Sequence, residues 1–159
     1  MKKWFSFLII AIFVASCNLN SEADKSPQVS FFDVTINGEE IDRQYLLVED
    51  TLRMNVVLSG YYHELTELEI IPEDDFVEFS FADSFQQNDF IASESSSAGR
   101  YKYVFKPTIK TCVIPIQVVA IQKKQQSVEL KFSLESKSGT RGEYNPRAVS
   151  FVFEITDPQ

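Results

Sequence analysis

From Val29 onward apolar and polar residues alternate with a period of two, the spacing that puts side chains on one face of a β-strand. Phe32, Val34 and Ile36 alternate with Asp33 and Thr35, and Asn37-Gly38 then supplies a tight hairpin turn. Tyr45 to Val48 reads as a short edge strand. Leu52, Met54, Val56 and Leu58 form the next stripe, which Gly60 stops; Leu68 and Ile70 form another, which Pro72 stops. Val77, Phe79 and Phe81 follow, then Tyr101, Tyr103 and Phe105 up to Pro107. Val113 to Ile121 is apolar at nearly every position and predicts a central strand covered on both faces. Val128, Leu130, Phe132 and Leu134 give the cleanest alternation, and Val149, Phe151, Phe153 and Ile155 the last.

This is about eight strands with turn residues between them and no amphipathic helix. Short strands at even spacing predict an all-β domain, an immunoglobulin-like antiparallel β-sandwich of about seven to nine strands. Two connections exceed what a sandwich needs, over residues 82–99 and 136–147. Long loops in compact domains are often functional. Phe85 and Phe90 in the first, and Arg141, Tyr144 and Arg147 in the second, are therefore the candidate binding residues.

The first residues follow a different rule. Lys2 and Lys3 precede the apolar run Trp4–Val14, broken only by Ser6, and the small residues Ala15 and Ser16 lead to Cys17. A positive start, an apolar centre and a small-residue exit make a secretory signal. The run is about a dozen residues long, against the ~20 that a membrane-spanning helix needs. Val14-Ala15-Ser16-Cys17 resembles the bacterial lipobox, with Val in first place and Ser in third. The resemblance implies cleavage before Cys17, a diacylglycerol on its sulfur and acylation of its new amine. Asn18 in place of Asp implies sorting to the outer membrane, and Ser21-Glu22-Ala23-Asp24 resembles an acidic surface-export signal, which leaves the periplasmic and cell-surface faces both open. The expected organisation is a signal peptide over 1–16, a lipidated polar tether over 17–28 and a sandwich over 29–159. The membrane, reached through the lipid, is thus one expected partner.

Cleavage sharpens the composition. It takes 16 of the 159 residues, leaving 143, the size of one domain. It also removes Lys2 and Lys3, so the 15 basic residues fall to 13 against 23 acidic ones. So acidic a domain is a poor match for a phosphate backbone, and no nucleic-acid partner is expected. Of the two cysteines, Cys17 takes the lipid and Cys112 is left alone between Thr111 and Val113 as a small buried residue. With the lipobox in place, the strand rhythm and the run Val48-Glu49-Asp50-Thr51-Leu52 resemble the Ig-like or fibronectin-like domains of small lipoproteins of gut-type bacteria, many of unknown function.

Candidate chemistry is sparse. His63 is the only histidine, and a nucleophile–base relay would have to run through it. Glu73-Asp74-Asp75 is the densest acidic patch but lacks the alternating spacing of a calcium loop. Gly139 and Gly142 lie between strands rather than before a helix, so they form no phosphate cradle. No catalytic residue, metal set or cofactor is expected. A sugar platform would fall to Tyr61, Tyr62 and Tyr144, since Trp4 is the only tryptophan. Asp50-Thr51-Leu52 resembles an acceptor triplet for bacterial O-glycosylation. The expected function is a non-enzymatic, lipid-anchored module for protein contacts, with a glycan-binding accessory role as the alternative.

Overall fold

Two-residue alternation gives each strand one apolar face, and burying those faces against each other assembles the domain. The computed structural model describes residues 26–41, 43, 45–95, 99–138, 143–144 and 147–158. Its strands are β1 (Gln28–Ile36), β2 (Glu39–Glu40), β3 (Tyr45–Leu47), β4 (Thr51–Ser59), β5 (Leu65–Ile71), β6 (Val77–Phe81), β7 (Phe90–Ser95), β8 (Tyr101–Phe105), β9 (Thr111–Ala120), β10 (Val128–Ser138), β11 (Glu143–Tyr144) and β12 (Arg147–Thr156). Nine of these, among the described residues, have five residues or more.

The strands form two sheets. One has the order β2-β1-β4-β9-β6; the other has the order β3-β12-β10-β5-β8-β7, with β11 added to β10. All pairs are antiparallel except β3 with β12, which run parallel. The sandwich is therefore mixed at one edge rather than antiparallel throughout. Val56, Ile114 and Val118 of the first sheet, and Leu68, Ile70 and Phe132 of the second, have no solvent exposure and form the centre of the core. Each contributes ~1.5–3 kcal/mol by leaving water.

The Asn37-Gly38 turn forms with positive φ at both residues (54° and 88°), the backbone that joins β1 to β2 in a two-residue hairpin. The face assignment of β1 is corrected. The register slips between Phe32 and Thr35, where Asp33 takes a φ of 51°. This bulge inserts one residue and reverses the parity. Phe31 and Val34 therefore pack on the core, while Phe32, expected inside, is 54% exposed. β9 is central, between β4 and β6, but its second face is exposed at its start, where Val113 is 52% exposed.

The connection over 82–99 is also corrected, because it contains a 3-10 turn and a strand. A 3-10 turn at Gln87–Asp89 leads into β7, which pairs with β8. Likewise 136–147 contains the end of β10, the short β11 that pairs with it, and the start of β12.

Candidate functional site

Phe85 and Phe90 turn inward. Phe85 stacks on Phe81 at 4.6 Å, and Phe90 packs against Phe105 at 4.8 Å and Tyr103 at 5.0 Å. With Phe79 and Tyr101 they fill the gap between β6 and the β7–β8 hairpin. Their job is to seal one side of the sandwich, and Phe90 is only 7% exposed. Tyr144 and Arg147 are placed by backbone alone, at the end of β11 and the start of β12. Arg141 and Cys17 lie outside the described residues.

The other singled-out groups have structural partners. The Glu73 carboxylate accepts from the Glu129 amide at 3.0 Å and from Lys124, whose ammonium also lies 5.1 Å from the Phe76 ring centre. The acidic turn is thus latched to the start of β10 and to the segment before it. Among the described residues no three metal-ligating side chains converge. Burial first, then the charge and hydrogen bond of Asp89, pushes the Cys112 thiol up to about 12. That keeps it protonated and a poor nucleophile at neutral pH. His63 sits in the β4–β5 turn, its amide donating to Gly60 O at 2.9 Å. Tyr61 and Tyr62 share that turn, and Tyr62 is 84% exposed.

Asp50, in the run Val48–Leu52, is a buried hub. Its Oδ2 accepts from the Leu47 amide at 2.7 Å and Arg43 Nη2 at 2.5 Å, and its Oδ1 from Asn37 Nδ2 at 2.7 Å. Asn37 Oδ1 in turn accepts the Thr51 amide at 2.9 Å. One carboxylate thus ties the β1–β2 turn, the β3–β4 turn and the segment carrying Arg43. Arg43 is thereby held 5.2 Å over the Tyr45 ring.

That arrangement builds one wall of a groove of about 600 Å³. Ile36, Leu52, Ile41, Arg43 and Tyr45 face the consecutive residues Phe151, Val152, Phe153 and Glu154. Successive residues of a strand point to opposite faces. Four in a row lining one groove fits a groove that runs along the strand's edge. β12 is paired with β10 from Val128↔Phe153 to Leu134↔Arg147. On its other side β3 covers only Glu154 to Thr156. Among the described residues, 147–153 therefore have one paired side and one open side, and the open side borders the groove. No linear motif announces this, because its walls come from β1, the β2–β3 segment, β4 and β12. The only trace in the sequence is an uncharged run, Ala148 to Phe153, in the last strand.

No protein-family model matches the chain, and no curated protein sequence matches it. Among solved structures it is similar to the cohesin module of a family 33 glycoside hydrolase from Clostridium perfringens, with a TM-score of 0.54 and 11% identity over 84% of this chain and 99% of that one. It is also similar to BcpA, the major pilin subunit of Bacillus cereus (TM-score 0.48, 6% identity, 83% of this chain and 40% of that one). A third likeness is to a DUF4466 family protein from Parabacteroides merdae (TM-score 0.40, 10% identity, 83% and 45%). The chain spans less than half of the length of these last two. At such identities the likeness is one of fold alone, and it agrees with the two-sheet topology of an Ig-like β-sandwich.

Proposed function

We propose that the chain is a non-enzymatic, lipid-anchored module of the bacterial outer membrane whose sandwich makes protein–protein contacts. The observation that carries this reading is the open edge of β12 beside an apolar groove. A row of unpaired backbone donors and acceptors is a template for another chain. A sandwich of this architecture, in the Clostridium perfringens neighbour, is a module within a larger hydrolase, which agrees with a role in assembly. The anchor rests on Val14-Ala15-Ser16-Cys17. Two experiments test the proposal. Metabolic labelling with an alkyne fatty acid should mark the wild-type chain and leave Cys17→Ala unlabelled and unprocessed; equal labelling of both would sink the anchor. A photo-crosslinking residue at Val152, in the native cell, should give discrete protein adducts that the same residue at Arg53, exposed on the outer face of the other sheet, does not. Identical patterns from the two positions would end the contact reading.

A glycan-binding role is the second reading, and the observation in its favour is the adjacent pair Tyr61-Tyr62 on one exposed turn. Aromatic faces stack on sugar rings. A glycan array on which Tyr62→Ala performs as well as the wild type would remove that turn from consideration.

A further inference from the structure

Among the described residues, each exposed edge of this sandwich carries a device against strand addition, with one exception. β2 and β3 are only two and three residues long. The open part of β1 is broken by the bulge at Asp33, a charged residue with positive φ. β6 has five residues with Glu78 in its second position, and the register of β7 with β8 is irregular between Phe90 and Ala92. Short strands, charges and bulges are the means by which natural sheets blunt their edges. β12 has none of them over Ala148-Val149-Ser150-Phe151-Val152-Phe153, a run with no charge, no proline and no irregularity in its register with β10. Val152 is 56% exposed there.

We propose that this edge takes an extended peptide strand from another protein, one with alternating apolar side chains and a basic residue at its end. An extended backbone is the only partner that satisfies a row of ladder donors and acceptors, and side-chain pockets beside the ladder set its sequence. Seven open residues span about 23 Å, at ~3.3 Å each, enough for a strand of typical length. The apolar groove receives every second side chain of the incoming strand. The charge of the partner follows from the ion pairs already made. Arg43, the cation of the groove, is spent on Asp50 at 2.5 Å. Glu154, at the lip where β3 ends the open edge, is exposed. A Lys or Arg at the end of the strand meets it, in a chain whose net charge is −8. The inference rests on the contact-module reading and names the surface and the chemistry of its partner.

The test is fluorescence anisotropy with the full chain and a labelled nine-residue peptide of alternating valine and threonine, flanked by lysines. Saturable binding is expected, weakened at least tenfold by Val152→Lys, which places a charge beside the edge. Alternate N-methylation of the peptide should abolish binding, because it removes the ladder donors. Glu154→Lys should reverse the preference from lysine-flanked to glutamate-flanked peptide. Thermal melts of both variants serve as the folding control; the two side chains are exposed, and neither change should move the melt by more than a few degrees. Three results overturn the proposal. One is no saturable binding by the wild type. Another is equal binding of the N-methylated peptide. The third is a concentration-dependent dimer in sedimentation that Val152→Lys abolishes, which would give the edge to a second copy. If the peptide fails while Val152 still yields discrete protein cross-links in cells, the strand-addition mechanism falls and the contact role stands.

Discussion

Asp50 shows how much one side chain can hold. It is 7% exposed and accepts three hydrogen bonds from three segments. Asp50→Ala leaves the Leu47 amide and the Arg43 guanidinium without that acceptor. Stranded buried donors cost about 1–3 kcal/mol each, less for the partly exposed Arg43. A loss of roughly 2–3 kcal/mol is expected in urea unfolding. Asp50→Asn keeps one acceptor and should lose less. If both variants unfold like the wild type, the hub is not holding the turns. The Asp of the Asp50-Thr51-Leu52 triplet thus has a structural task whatever happens at Thr51. Cys112 gives a second residue-scale expectation. Its thiol is buried and pushed up to about 12, so it should resist iodoacetamide in the folded chain at pH 8 and react in guanidinium. Peptide mapping by mass spectrometry reads this directly. Rapid native alkylation would contradict the burial.

At the scale of the element, the bulge in β1 makes a sharp prediction from two adjacent phenylalanines. Phe31 packs against Phe132 at 5.4 Å and Phe151 at 5.1 Å, whereas Phe32 faces solvent. Phe31→Ala should cost about 2–4 kcal/mol, below the full core value because the ring is only partly buried. Phe32→Ala should stay within ~0.5 kcal/mol. Equal losses would mean that the register has not slipped. Strict alternation through Phe32, Val34 and Ile36 predicts the opposite ranking. Alternation registers the period of a strand but not an inserted residue, because a bulge changes parity without changing composition. The segment 82–99 misleads for a related reason. Its polar content suggests a presented loop, while Phe85 and Phe90 are the residues the sandwich uses to close the side beside β6.

At the scale of the whole molecule, stability should depend on alkaline pH. Burial is the first cause that raises Cys112 from 9.0 and Tyr103 from 10.0, each to about 12. Tyr101 moves in the same direction through burial and the charges of Asp74 and Glu78. These groups hold their protons more tightly in the folded chain than in the unfolded one. Their contribution is complete below the unfolded values and is lost as pH rises through about 9 to 12. The melting temperature should therefore be level between pH 7 and 8.5 and fall steeply above that. Tyrosinate absorbance should lag for the buried rings until the chain unfolds. A melt unchanged to pH 11 would show that these groups are solvated.

The sequence by itself determined the class of the molecule. Alternation with period two, in stretches bounded by Gly and Pro, specifies strands; strands with one apolar face have to pair face to face, so a sandwich follows. Asn37-Gly38 was legible as a hairpin turn because few dipeptides accept positive φ twice in a row. Cys112 was legible as a buried residue for the apolar residues that follow it. Only the tertiary structure decided which edges are open, and therefore where a partner fits. An edge is defined by the strand that is not beside it, and no residue of Ala148–Phe153 records that β3 stops at Glu154. Nor does any short stretch record that Ile36, Arg43 and Leu52, brought in by three other segments, line the groove next to it. Local periodicity reports which face of a strand is apolar; the absence of a neighbour is a property of the assembled sheet.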